Sequence, residues 1–160
     1  MNLKPLLPGH ILVCPLRPSP RLADLSAPEL SDLFSTVTRV QRTLTRLYAA
    51  QAFNVAVQDG PAAGQTVPHV HVHVIPRRGG DGGEGDKVHE WLEGEEGDVG
   101  AHLRERDEGV GGGEKMKGGR EEWPKDEERR PRSMEEMERE AGWLRGEMER
   151  DAKGEEGGRL

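Results

Sequence analysis

His69-Val70-His71-Val72-His73-Val74-Ile75 alternates imidazoles with apolar side chains at a period of two. In extended backbone that period sends all three rings to one face and the valines to the other. At about 3.3 Å of rise per residue, rings two positions apart start about 7 Å from one another, close enough to address one small anionic group or one metal ion. Pro68 and Pro76 stand on either side of the run, as befits strand ends, where a missing amide donor does least harm. A lone histidine such as His89 or His102 reads as a satisfied hydrogen-bond partner. Three on one face are costly to bury together unless something anionic or metallic compensates, so this strand reads as functional.

Immediately upstream, the Gln58–Val67 loop contains Asp59-Gly60-Pro61-Ala62-Ala63-Gly64-Gln65-Thr66. Its two glycines can expose backbone amides and let the chain approach a phosphate. Taken alone it is equally an ordinary hairpin loop. Its place directly before the histidine strand favours anion binding.

Further back, residues 52–58 alternate Phe53, Val55 and Val57 against Asn54, Ala56 and Gln58, a half-buried strand. Ser26-Ala27-Pro28-Glu29 reads as a capping box. From it Leu30, Leu33, Phe34, Val37, Val40, Leu44, Leu47 and Tyr48 recur at intervals of three and four, giving an amphipathic helix to about residue 49 that covers one sheet face. His10-Ile11-Leu12-Val13-Cys14-Pro15-Leu16 is a short apolar run followed by prolines, expected as a strand over 10–16.

Of 160 residues, only 32% are hydrophobic and 22 are glycine, which leaves room for one ordinary domain and a good deal of unpacked chain. The net charge of -7 is divided unevenly: residues 1–78 carry +4 and the remainder -11. A basic half suits a nucleotide phosphate, whereas the acidic half disfavours nucleic acid. One cysteine, Cys14, fits a reducing compartment. No run approaches the ~20 apolar residues that span a bilayer, and residues 1–5 do not form a signal peptide. The expectation is a cytoplasmic or nuclear protein with no membrane partner.

Residues 79–131, dominated by glycine and charge, are expected to be disordered. Within them Asp86–Glu93, with Val88, Trp91 and Leu92, reads as a helical turn or docking point. Ser133-Met134-Glu135-Glu136 is a second capping box, opening a helix over 132–150 whose stripe is Met137, Ala141, Leu144 and Met148. So narrow a stripe also suits a solvated helix with no partner. Residues 151–160 are expected to be a disordered tail.

Two chemistries fit the imidazoles. A zinc site would need further ligands, from His10, Asp59 or Cys14. A phosphate site would use Gln58, the glycine loop and the basic balance, with a neutral imidazole as nucleophile. The phosphate reading is preferred.

Three motifs in order, Pro8-Gly9-His10, then Gln58-Asp59-Gly60-Pro61 with Ala63-Gly64-Gln65-Thr66-Val67, then His69 to Ile75 with Pro76-Arg77, resemble the histidine triad (HIT) superfamily. They are most similar to its fragile histidine triad branch, the diadenosine triphosphate hydrolases. The resemblance spans residues 2–78 and resumes weakly at 86–92 and 132–145. It implies an α+β fold: a HIT-like antiparallel sheet with a long helix packed on it and a C-terminal helix after a disordered insert. It also implies cleavage of diadenosine triphosphate to AMP and ADP through an adenylyl-histidine.

In that scheme His71 is the nucleophile, His73 binds the α-phosphate, and His69 and His10 orient His71. Gln58 contacts the phosphate or scissile oxygen, while Gly64, Gln65, Thr66 and Val67 line the phosphate site. Asn2 matches the ribose-binding position. Magnesium or manganese arrives with the polyphosphate, no metal is held by the triad, and two chains pair as a homodimer. The family has a further strand before the position of Asn2, so the resemblance implies either an incorrectly assigned start or a shortened, weakened enzyme. Two alternatives stand beside this one: a nucleoside phosphoramidate hydrolase of the related branch, and a weakly active nucleotide-binding signalling module.

Overall fold

The computed structural model describes residues 5–79, Val88, Leu92 and 132–157, with side chains up to residue 154. Three strands form one antiparallel sheet: β1 (Ile11–Val13), β2 (Ala52–Ala56) and β3 (Val72–Arg77). Their order is β1-β3-β2, so the histidine-bearing strand is central. His73 stands opposite Leu12 of β1 and Ala56 of β2. The long helices are α1 (Ala27–Tyr48) and α2 (Met134–Gly157), and short 3-10 turns stand at Leu22–Asp24 and Pro61–Ala63.

The two faces of β3 have different neighbours, as its alternation demands. Val72 and Val74 pack with Ile11 and Val13 against Leu33, Val37, Val40 and Leu44 of α1. Ile75, with the opposite parity, joins a separate cluster of Leu6, Leu7 and Val88, with Leu92 at its margin. The apolar core thus lies between sheet and α1, and the histidine side of β3 is left for chemistry.

Helix α1 begins as its capping box requires. The Ser26 hydroxyl accepts from the Glu29 amide, and the Glu29 carboxylate accepts from Ser26 N at 2.8 Å. It ends at Ala49, whose φ of 51° is left-handed.

Helix α2 lies along α1. Leu144 enters the main core with Met148 beside it. Arg46 of α1 reaches Glu147 and Asp151, each at 2.8 Å, and the Thr43 hydroxyl donates to Asp151 at 2.6 Å. The narrow stripe therefore has a partner, and the solvated-helix alternative is set aside.

The element ends differ from expectation at four places. β1 stops at Val13, short of residue 16: Cys14 precedes Pro15, and prolines remove ladder donors. β3 starts at Val72, because the Val70 amide goes to Ser19 O and the His69 amide to Val67 O, away from any neighbouring strand. It runs through Pro76, which was expected to bound it; the β1 ladder has already ended at Val74, so that side loses no bond to the proline. α2 continues to Gly157, past the residue 150 expected, and Asp151 is held by α1 and is not part of a disordered tail. The disorder expected for residues 79–131 falls outside the described residues except at Gly79, Val88 and Leu92, as do residues 158–160.

Candidate active site

The imidazoles of His10, His71 and His73 gather on the side of the sheet away from α1. His10 Nε2 lies 3.0 Å from His73 Nδ1. The His71 and His73 rings are 5.2 Å apart between centroids, as are those of His10 and His73. His10 and His73 are almost wholly buried, and His71 is only 4% exposed.

The backbone decides which nitrogen of each ring carries its proton. The Leu6 amide donates to His10 Nδ1 at 3.1 Å, so neutral His10 carries its proton on Nε2 and donates it to His73 Nδ1. His73, accepting on Nδ1, keeps its own proton on Nε2. His71 Nδ1 lies 2.8 Å from the carbonyl oxygen of His69, which can only accept. Nδ1 of His71 is therefore the protonated nitrogen, and Nε2 carries a lone pair. Both Nε2 atoms are buried and neither has a hydrogen-bond partner among the described residues. A lone pair and an N–H donor thus stand side by side, unused by the fold.

Burial, followed by the proximity of His71, lowers the His73 pKa from 6.5 to about 3. His73 is accordingly neutral at physiological pH. It offers a hydrogen bond, not a positive charge.

His69 does something different from its neighbours. Its Nδ1 accepts from the Ser19 amide at 3.2 Å, and its Nε2 donates to Pro15 O at 3.1 Å. Its ring is thus tied to the loop after β1 and does not join the His10–His73–His71 group. It acts on His71 through its backbone carbonyl, which corrects the expectation that the His69 ring is part of the orienting network. His10 meets His73, with its Nε2 3.0 Å from His73 Nδ1.

In the loop before the histidines, Gly60 and Gly64 have φ of 109° and 83°. A Cβ on Gly64 would sit 2.9 Å from Gln58 Nε2, so the glutamine carboxamide lies against this glycine. Gln58 Nε2 donates to Leu92 O at 3.0 Å. Gln65 was expected to line a phosphate site, but its amide donates to Pro20 O at 2.9 Å and its side chain is buried. Its backbone amide is committed as well, donating to Gly60 O at 3.1 Å, as the Gly64 amide donates to Pro61 O at 3.0 Å, so neither residue offers the expected phosphate donor. Thr66 is exposed and Val67 half-buried, whereas Asn2 lies outside the described residues.

Asp59 anchors the loop: it receives Arg21 Nε at 3.1 Å and the Leu22 amide at 2.9 Å, and these contacts, Arg21 first, hold its carboxyl below the usual range. It is committed as an anchor and is not free to serve as a metal ligand. Among the described residues no group of three His, Cys, Asp or Glu is placed to hold a metal ion. The inward nitrogens of His10 and His73 face one another, and His71 Nδ1 faces a carbonyl.

Sequence reasoning missed Leu6, Ser19 and Pro15, which fix histidine tautomers through backbone atoms. Composition gives no signal for a backbone donor. The proline-dense 15–20 stretch indicates a stiff loop but not what it grips.

Beyond geometry, a family model described as the HIT domain matches residues 1–80, half of the chain. The chain belongs to the HIT domain family. An asymmetrical bis(5'-nucleosyl)-tetraphosphatase of Schizosaccharomyces pombe is 50% identical over 147 residues, covering 91% of this chain and 81% of that protein. A bifunctional bis(5'-adenosyl)-triphosphatase/adenylylsulfatase of Arabidopsis thaliana is 50% identical over 93 residues; the matched part is 58% of this chain and about half (52%) of the relative. Among solved structures, the Caenorhabditis elegans NitFhit protein superposes with a TM-score of 0.50 at 40% identity, covering 67% of this HIT chain and 24% of that one.

Proposed function

We propose that this chain is a dinucleoside polyphosphate hydrolase that passes AMP first to His71 and then to water. The observation that carries this reading is the tautomer of His71: its Nδ1–H is given to His69 O, so its buried Nε2 keeps a lone pair with no partner among the described residues, just as the buried Nε2–H of His73 has none. The activities for which the fission yeast and Arabidopsis relatives are named support the substrate class.

In the first step His71 Nε2 attacks the α-phosphorus. A P–N bond forms and the bond from that phosphorus to its bridging oxygen breaks, releasing ADP from the triphosphate or ATP from the tetraphosphate. Water then attacks the same phosphorus, the P–N bond breaks, AMP leaves, and a proton passes to solvent. Two easier displacements replace one hard one. His73 donates Nε2–H to a non-bridging α-phosphate oxygen, and its neutrality keeps it from competing as a cation for the wrong oxygen. His10 holds His73 in the donor tautomer, and the His69 carbonyl holds His71 in the nucleophilic one. These groups are in place before the reaction, so no reorganisation is needed as charge develops.

Gln58 has a second N–H to donate to the phosphate or scissile oxygen. Thr66 and Val67 line the polyphosphate site, Gly64 and Gln65 form the turn that delivers them, their amides donating to Pro61 O and Gly60 O, and Asn2 is assigned to the ribose. A divalent ion, magnesium or manganese, accompanies the polyphosphate and screens its charge. Pairing into a homodimer is supported by Leu30 and Phe34, apolar side chains one turn apart on α1 and about two-fifths exposed.

The test is turnover of diadenosine tri- and tetraphosphate. AMP should appear with ADP or ATP respectively, and His71→Asn should cost several orders of magnitude in kcat. Retained activity in that variant, or faster turnover of an adenosine phosphoramidate than of either dinucleotide, overturns the assignment.

A further inference from the structure

The histidine side of β3 carries a small apolar cluster whose purpose the chemistry above does not use. Leu6, Leu7, Ile75 and Val88 are each at most 3% exposed, with Leu92 packed at their edge. Ile75 is two residues beyond His73 on β3 and shares its side of the strand. Val88 comes from a stretch dominated by glycine and charge, yet only 1% of it is exposed.

The cluster touches the site at two backbone atoms. From Leu6 comes the amide that donates to His10 Nδ1, and His10 in turn sets His73. From Leu92 comes the carbonyl that receives Gln58 Nε2. Val88 is buried in the cluster that contains Leu6 and against which Leu92 packs. We infer that Val88 is a positioning residue: a buried peg that holds the Leu6 amide on His10 and the Leu92 carbonyl on Gln58, and so fixes a donor tautomer and a carboxamide it does not itself touch.

The consequence follows ring by ring. If the Leu6 amide drifts from His10 Nδ1, His10 is free to carry its proton there and to turn a lone pair toward His73. His73 Nδ1 must then carry the proton, and its Nε2 becomes an acceptor facing the phosphate. The site loses its donor although no histidine has changed. Displacement of about 1 Å in such a support is enough to cost up to about 10²-fold in rate.

The experiment measures two things on the full chain: the ¹⁵N chemical shifts of His10 and His73 in the free protein, and kcat and KM for diadenosine triphosphate. Val88→Ala is expected to give mixed tautomers at His10 and His73 and to lower kcat at least fivefold, while Val88→Ile keeps both near wild type. Should Val88→Ala fail to fold, Val88→Thr, which keeps the shape and weakens the apolar contact, is read the same way. Wild-type tautomers in a folded Val88→Ala or Val88→Thr chain overturn the proposal. So does an unchanged kcat with altered tautomers, or a Val88→Ile chain as impaired as Val88→Ala. Only the kinetic arm rests on the hydrolase reading; if the wild-type protein shows no turnover, the ¹⁵N arm alone decides the role of Val88.

Discussion

His71 and His73 are two positions apart and have the same side chain, yet the fold gives one a lone pair and the other a proton at the same ring atom. Two backbone groups make the difference, the His69 carbonyl and, through His10, the Leu6 amide. Burial then keeps His73 neutral. That burial has a stability consequence whose sign is fixed. The unfolded histidine titrates at 6.5 and the folded one at about 3, so between those values the unfolded chain binds more protons and stability falls as pH falls. The slope from this residue approaches about 1.4 kcal/mol per pH unit. Asp59 and Asp151, held below the usual carboxylate range by Arg21 and Arg46 respectively, act in the same direction but only at lower pH. Urea unfolding from pH 6.5 to 4 should therefore show a steeper loss in wild type than in His73→Asn; equal slopes would contradict a buried, neutral His73.

Among the elements, helix starts were the most legible. Both serine-to-glutamate capping boxes form as read, Ser26 with Glu29 and Ser133 with Glu136, because a cap is a local hydrogen-bond pattern within four residues. Ends were harder. β3 loses His69 and His71 to a loop since Ser19, fifty positions away, takes the pairing, and α2 outlasts its stripe because α1 grips Asp151. At the C-terminus of α1, Ala49 holds a left-handed φ of 51°, a conformation costing a side-chain-bearing residue about 1–2 kcal/mol. Ala49→Gly relieves that strain and gives back part in unfolded-chain entropy. The net expectation is a gain of about 0.5–1 kcal/mol in thermal or denaturant unfolding with turnover unchanged; a loss of stability would mean that the Ala49 methyl is needed.

For the whole molecule, the division of labour was visible in the sequence while its couplings were not. Alternation separated Val72 and Val74, on the α1 side of a central strand, from His73, but did not hold over all of 69–75: the His69 ring is tied to the loop after β1, and Ile75 shares the His73 side. Which histidines join was not readable, because His10 meets His73 across sixty-three positions and Gln58 meets Leu92 across thirty-four. Those separations belong to tertiary packing. The fold brings them together with a sheet, one long helix as lid on the valine side, and α2 clamped onto that helix by Arg46. All of this serves one atom, Nε2 of His71. Rapid acid-free quenching of turnover with α-³²P-labelled diadenosine triphosphate, followed by peptide mapping, tests it most directly. The account predicts one AMP joined through phosphorus to His71 Nε2, formed and consumed at rates that match kcat, whereas label on another residue, or turnover with no labelled intermediate at any time, would contradict it.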